Sequence, residues 1–263
     1  MPAAPVGTLK RLEMTAEKRK IKVEVRNLTK QFDDLQVLND ISFHVYEGEF
    51  LCIVGPTGCG KTTFLNVLSK LIPASSGDIY IDGEPADPRK HNLSFVFQEP
   101  SSMPWRTVED NIRFGLQVKR IAKDQIESRT EEMLELVGLK EFRSYYPKQL
   151  SASMDQRVVI GRAFAINPDL LLMDEPYCQL DVKLRYYLED EIIRIWRELK
   201  RTVIFVTHNI EEAVYVAERI LVLTPKPTTI KAEIKVDLPR PRNFADPEFV
   251  KIREEVTEMI KWW

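Results

Sequence analysis

Cysteine is scarce. The 263 residues hold three, Cys52, Cys59 and Cys178, at spacings that make neither a metal-ligand set nor a dithiol redox pair. That excludes a disulfide-stapled secreted domain and fits free thiols in a reducing compartment, the cytoplasm. Net charge is nearly absent too: 38 basic against 40 acidic residues leave −2, and no basic stripe marks a nucleic-acid binder. Uninterrupted apolar runs stop at five residues, as in Phe50–Val54, far below the ~20 that a bilayer-spanning helix needs. The N-terminus has basic residues but no apolar core, so no signal peptide is visible. What remains is a chain long enough for one large domain, or one domain with a subdomain, and a sizeable core.

What is present centres on Gly55-Pro56-Thr57-Gly58-Cys59-Gly60-Lys61-Thr62, which fits the G-x-x-x-x-G-K-[ST] phosphate-binding loop. Phe50–Val54 before it reads as a buried strand and Thr63–Leu68 after it as a helix, the context the motif requires. Glycines let the loop curl so that backbone N–H groups point at phosphate oxygens, and the helix start adds its unpaired N–H groups and partial positive charge. Lys61 can reach the β- and γ-phosphates, and the Thr62 hydroxyl can ligate Mg²⁺. Cys59 lies inside this loop, so a thiol reagent is expected to block nucleotide binding.

Further along, polar residues stand at the ends of apolar strands. Ile21–Val25 alternates with period two, an antiparallel strand. Phe32 follows, either an adenine-stacking ring or an ordinary turn aromatic. Leu93–Phe97 is a strand leading into Gln98, a ligand for Mg²⁺ or water, or a cap. Leu170–Met173 is a buried parallel strand ending in Asp174 and Glu175, at the end where open α/β sheets place ligands. Asp174 is expected to hold the Mg²⁺ shell and Glu175 to polarise water. Thr202–Thr207 is a strand with His208 beyond it, the third polar group at a strand end of one sheet. Between about 99 and 160 the pattern turns helical. Pro147 is expected to stop one helix there and Ser151 to N-cap the next.

The P-loop, Gln98, Leu150-Ser151, Asp174-Glu175 and His208, in this order and spacing, resemble the ATP-binding cassette (ABC) ATPases over roughly residues 21–240. The resemblance implies an α/β P-loop NTPase of the ABC-ATPase fold. It has a mixed sheet core, an antiparallel β subdomain and an inserted α-helical subdomain at about 99–160. A flexible arm over 1–20 and a helical tail over 241–263 flank it. By position, Gly55–Thr63 looks like the Walker A segment, Gln98 like the Q-loop glutamine and Asp174 like the Walker B aspartate. Glu175 resembles the catalytic glutamate, Leu180-Asp181 the D-loop, His208 the switch histidine and Phe32 the A-loop aromatic. The implied ligands are ATP and Mg²⁺, the metal held by Thr62, Gln98 and Asp174. Chemistry falls to Lys61, Glu175 and His208, and ATP contacts to Phe32, Gly55, Pro56, Thr57, Gly58, Cys59, Gly60, Lys61, Thr62, Thr63 and Gln98.

A narrower match, through Gln98-Glu99-Pro100, Met103–Val108, Asn111-Ile112, His208–Val214 and Leu238–Arg242, resembles importer ATPases of the nitrate/sulfonate/taurine group. It implies a second ATPase subunit, two membrane-spanning permease subunits and, indirectly, a solute-binding protein, with the chain peripheral on the cytoplasmic face of the cell membrane. Trp105 is either a permease contact or subdomain core. One departure stands out. The family signature usually reads Leu-Ser-Gly-Gly with Arg or Lys two residues on, whereas here it reads Leu150-Ser151-Ala152-Ser153-Met154-Asp155. The resemblance implies that this segment and Asp181 act in trans, at the partner's nucleotide. Added side-chain atoms at 152 and 153 crowd that approach. Asp155 within ~4 Å of a phosphate would cost about 4 kcal/mol at an effective dielectric of 20. The alternative reading is therefore a degenerate, scarcely hydrolytic half of a heteromeric pair. Asn209, where Asp is more usual, is a milder change.

Overall fold

A computed structural model of the chain describes residues 19–99, 101–178 and 180–260. Most of the expected 1–20 arm, Pro100, and the end of the expected tail lie outside them. Two sheets organise the fold. In the first, β1 (Ile21–Phe32) and β2 (Leu35–Tyr46) form a long antiparallel hairpin. β4 (Ser76–Ile81) pairs antiparallel with β1, and β5 (Glu84–Pro85) with β4.

The second sheet has the order β10-β9-β3-β8-β7-β6. Its parallel strands are β3 (Phe50–Val54), β6 (Leu93–Val96), β7 (Leu170–Asp174), β8 (Thr202–Val206) and β9 (Arg219–Leu223). β10 (Ile230–Lys235) runs antiparallel at the edge.

Every residue of β3, β7, β8 and β9 is buried, which is why these strands read as apolar runs with no alternation. The period of two is there nonetheless, divided between two cores. Phe50, Cys52, Val54, Leu171, Met173, Val203, Phe205, Ile220 and Val222 face one. Leu51, Ile53, Leu170, Leu172, Ile204, Val206, Leu221 and Leu223 face the other. The second core is closed by the antiparallel sheet and by α1 (Lys61–Leu68), through Val23, Leu38, Ile41, Phe64 and Leu68. The first is closed by six helices: α2 (Val108–Val118), α3 (Lys123–Leu136), α4 (Ala152–Ala165), α5 (Val182–Leu199), α6 (Ile210–Val216) and α7 (Pro247–Ile260). Each fully buried Leu, Ile or Val contributes about 1.5–3 kcal/mol relative to exposure. The two-sided sheet is therefore the most strongly fixed part of the molecule. A buried ion pair locks its start, Arg219 Nε meeting Glu49 Oε1 at 2.6 Å. No described helix is long and apolar enough to cross a membrane.

One local expectation fails. Pro147 does not stop a helix; it opens a single 3₁₀ turn, Pro147–Gln149, and the segment before it holds only another such turn, Lys140–Phe142. Proline at a first helical position loses no hydrogen bond and arrives with φ already set, so the same residue serves a start as readily as a stop. Ser151 N-caps α4 as expected, its Oγ accepting the Met154 N–H at 3.3 Å.

Candidate nucleotide site

The strand order brings the site together. β3, β8 and β7 are neighbours, so the loop after β3, Asp174 at the end of β7 and His208 beyond β8 share one end of one sheet. The loop leaves β3 at Gly55 and enters α1 at Lys61. Gly60 has φ of +116°, and a Cβ there would lie 2.7 Å from Val37 Cγ1. Only glycine lets this loop sit against β2. Lys61 is 5% exposed, its ammonium donating to the Gly55 carbonyl at 2.9 Å and the Pro56 carbonyl at 3.2 Å.

Glu175 is the hub of the polar cluster. Its Oε2 accepts from His208 Nδ1–H at 2.7 Å and from Gln98 Nε2 at 3.4 Å, while Oε1 stands 4.0 Å from Lys61 Nζ. Its backbone has φ of +44°, the left-handed region that costs a side-chain-bearing residue about 1–2 kcal/mol. The N–H donating to the Val206 carbonyl at 2.8 Å holds it there. Asp174 is 2% exposed, with Oδ1 meeting no donor among the described residues. Burial pushes its carboxyl above the usual range, while the hydrogen bond from Thr62 and the charge of Lys61 pull the other way.

Lys61, Thr62, Gln98, Asp174, Glu175 and His208 are thus brought together. Phe32 and Leu150–Ser153 are not: no hydrogen bond or ion pair among the described residues joins either to that cluster. Phe32 ends β1 half-exposed, with the Lys30 ammonium 4.6 Å from its ring centroid. Ser151, Ala152 and Ser153 occupy the outward-facing start of α4, the two serine hydroxyls 3.1 Å apart. Asp155 lies in the first turn of α4, where its charge complements the helix N-terminus, and it also acts on Arg162 two turns on. Asp181 caps α5, accepting the Leu184 N–H at 3.0 Å, and Asn209 caps α6, accepting the Glu212 N–H at 3.3 Å. The Asn at 209 therefore keeps the capping function an Asp would serve.

The expectation for Cys59 is overturned. Its side chain is 2% exposed and packs into the second core, so close to the loop that a Cβ on Gly55 would stand 3.0 Å from Sγ. Burial also pushes its thiol up. A reagent has no approach to the Cys59 side chain. The exposed thiol is Cys178, three residues beyond Glu175. Trp105 is 73% exposed, which removes the core reading for it.

Two residues have structural roles that the sequence reading did not assign. Gln156 is 1% exposed and donates to the carbonyls of Phe97 at 3.3 Å and Pro176 at 3.0 Å. It ties α4 to the segments carrying Gln98 and Glu175. Asn111 is fully buried in α2 and holds the 103–107 turn, accepting from Met103 N–H at 2.7 Å and donating to the Thr107 carbonyl at 2.9 Å. The available signal was a polar residue on an apolar stripe, Val108-Asn111-Ile112-Leu116.

An ammonium, a helix start and a glycine loop turned on one point suit the phosphates of a nucleotide, and the carboxylate beside them suits a water molecule. The class is a P-loop nucleotide hydrolase. The family model for the ABC transporter matches residues 38–178. The chain belongs to that family, has its ATPase fold and is an ATP-hydrolysing cassette. It is similar to an uncharacterised ABC transporter ATP-binding protein of Methanocaldococcus jannaschii, 41% identical over 249 residues covering 93% of each chain. It is also similar to an aliphatic sulfonates import ATP-binding protein of Bacillus cereus, 39% identical over 234 residues covering 89% of this chain and 92% of that one. Among solved structures, a dimeric post-hydrolysis ATP-binding cassette bound to ADP and Pi matches with a TM-score of 0.75 at 31% identity. That match covers 82% of this chain and all of that one.

Proposed function

We propose that this chain is the ATPase subunit of an importer for a small anion or related solute of the nitrate, sulfonate, taurine or bicarbonate kind. Two copies face each other head to tail, and each nucleotide lies between one chain's P-loop and the other's Leu150–Ser153 and Asp181. The pair works against two permease subunits at the cytoplasmic face of the membrane, fed by a solute-binding protein. The sulfonate-importer relative supports the direction of transport and the solute class, and the dimeric cassette supports the pairing.

The observation that carries the reading is the Glu175–His208 contact of 2.7 Å beside the P-loop lysine. Glu175 accepts the proton of the attacking water, and His208 holds the carboxylate in place. Lys61 and the N–H groups of the loop balance the charge growing on the γ-phosphate. Phe32 offers a ring face to the adenine. The residues present fit Mg²⁺: Asp174 Oδ1 is a buried carboxylate oxygen without a donor, next to the Thr62 hydroxyl, and hard oxygen ligands of this kind suit that ion. Thr62, Asp174 and Gln98 would hold it, and when bound it neutralises phosphate charge.

Mg²⁺-ATP hydrolysis by the purified chain tests this, beside Glu175→Gln and the double variant Ala152→Gly, Ser153→Gly. Turnover that Glu175→Gln abolishes supports the reading. Binding without turnover, restored by the glycines, favours the second reading, a scarcely hydrolytic partner in a heteromeric pair. Ala152 and Ser153 at the outward start of α4 are the observation for that alternative.

A further inference from the structure

Beneath His208 two carboxyl groups are buried together, one from each of two packed helices. Glu189 on α5 is 1% exposed and Glu212 on α6 is 5% exposed. The two are within hydrogen-bonding reach of each other, yet neither oxygen of Glu189 meets a donor group of the protein. Two ionised carboxylates have no hydrogen to place between them. A proton on one supplies the donor that the geometry lacks.

We propose that Glu189 and Glu212 share one proton at neutral pH, and that this carboxyl–carboxylate hydrogen bond seats α6, and His208 with it, against α5. Glu189 is then a positioning residue, acting on the site through Glu212. Its role in hydrolysis rests on the function proposed above; the shared proton does not.

The surroundings favour keeping a proton on the pair. Burial first, then the charge of Glu212, pushes Glu189 up to about 9. Burial also raises Glu212, but the Thr207 hydroxyl and the charges of Arg185 and His208 offset it. The two carboxyls titrate together, and the proton belongs to the pair. On α5, Arg185 faces both and can balance one negative charge, not two, and Asp190 adds a second acid that accepts from Tyr215. From the other elements Tyr177 and Cys52 face the pair with their own ionisation suppressed by burial. Glu175, Cys178, Arg185, His208 and Glu212 line one cavity of about 200 Å³, which joins the Glu212 member of the pair to the reacting carboxylate.

The sign of the pH effect follows. Glu189 holds its proton more tightly folded than unfolded. The stabilisation is complete below about pH 4.5 and is lost as pH rises through about 9. Loss of the proton puts two like charges in a site with one balancing cation, and α6 moves off α5.

Histidine NMR on the full chain tests this without any need for hydrolysis. The chain has three histidines, and a His208→Ala spectrum assigns the one that matters. The wild type should show a second inflection in the His208 resonance near pH 9, absent in Glu189→Gln, whose amide supplies the missing donor permanently. Glu189→Gln should also melt higher than the wild type by a margin that widens from about pH 5 to pH 9. Glu189→Ala should lose the second inflection without the gain in melting temperature. A single inflection in the wild type, or a second one surviving in Glu189→Gln, overturns the proposal. Should the variants fail to fold, the wild type alone decides. Its infrared spectrum at pH 7.5 must contain a protonated-carboxyl stretch, and a spectrum without one refutes the shared proton. Failure of Glu175→Gln to affect turnover would overturn the function and leave these readouts untouched.

Discussion

The P-loop end of the sheet and the start of α4 belong to one chain and are built on opposite principles. At the sheet end, Lys61, Asp174, Glu175 and His208 are aimed by the ends of adjacent strands whose every residue is buried, and only small movements are open to them. At the start of α4, Ser151 to Ser153 stand outward on a helix terminus, held by one capping hydroxyl. The contrast teaches where each half of the chemistry is finished. The sheet end is assembled by folding, and the helix start is the part that, in the proposed pair, a second copy would complete. A non-glycine residue is ruinous in the first and tolerable in the second. Gly60 has a side chain of β2 in its way, whereas Ala152 and Ser153 face outward.

The sharpest way to break that contrast is Glu175→Gln. It keeps the shape and removes the base, and hydrolysis should fall by about 10²–10⁴-fold with ATP affinity kept, read by phosphate release and nucleotide titration. An equally silent Ser151→Ala would show that the two regions are not different in kind. In stability the order is the same. Leu172→Ala, in β7, should cost about 2–5 kcal/mol in urea unfolding, and Ser151→Ala about 1 kcal/mol. Ala152→Gly with Ser153→Gly sharpens the comparison by moving two properties in opposite directions. Helix propensity lost in the first turn lowers stability by about 1 kcal/mol, while turnover rises. The smallest effect is chemical. A maleimide should label Cys178 in the native chain and reach Cys52 and Cys59 only after unfolding, read by peptide mass. Native labelling of Cys59 would mean that the P-loop opens in solution.

The sheet end was readable from sequence because each of its parts is local: an apolar run, then the polar residue at its end. Where the reading stopped, the determining contacts were distant. Nothing in the run Glu189-Asp190-Glu191 marks which carboxylate turns inward; that depends on a helix placed 21 residues later by β8. Cys59 was misread for a related reason. Its position in the motif is local, but its side chain turns into the second core, whose members, Leu223 among them, lie far along the chain. Pro147 shows that a residue's local rule can be right while its role is ambiguous between an end and a beginning.

Gln156 has a consequence for how two sites would communicate. Its side-chain amide grips the carbonyls of Phe97, next to Gln98, and Pro176, next to Glu175, from a helix whose first turn faces the second copy in the proposed pair. If two copies pair as proposed, one that clamps on that turn would pull on α4, and α4 is tied to the neighbours of Gln98 and Glu175. In the proposed pair the amide would be a linkage in the mechanical sense, joining the turn that meets the second copy to the segments beside Glu175. Two bound ATP molecules would then turn over with a cooperative dependence on concentration, and a Gln156→Leu chain would hydrolyse them as strangers.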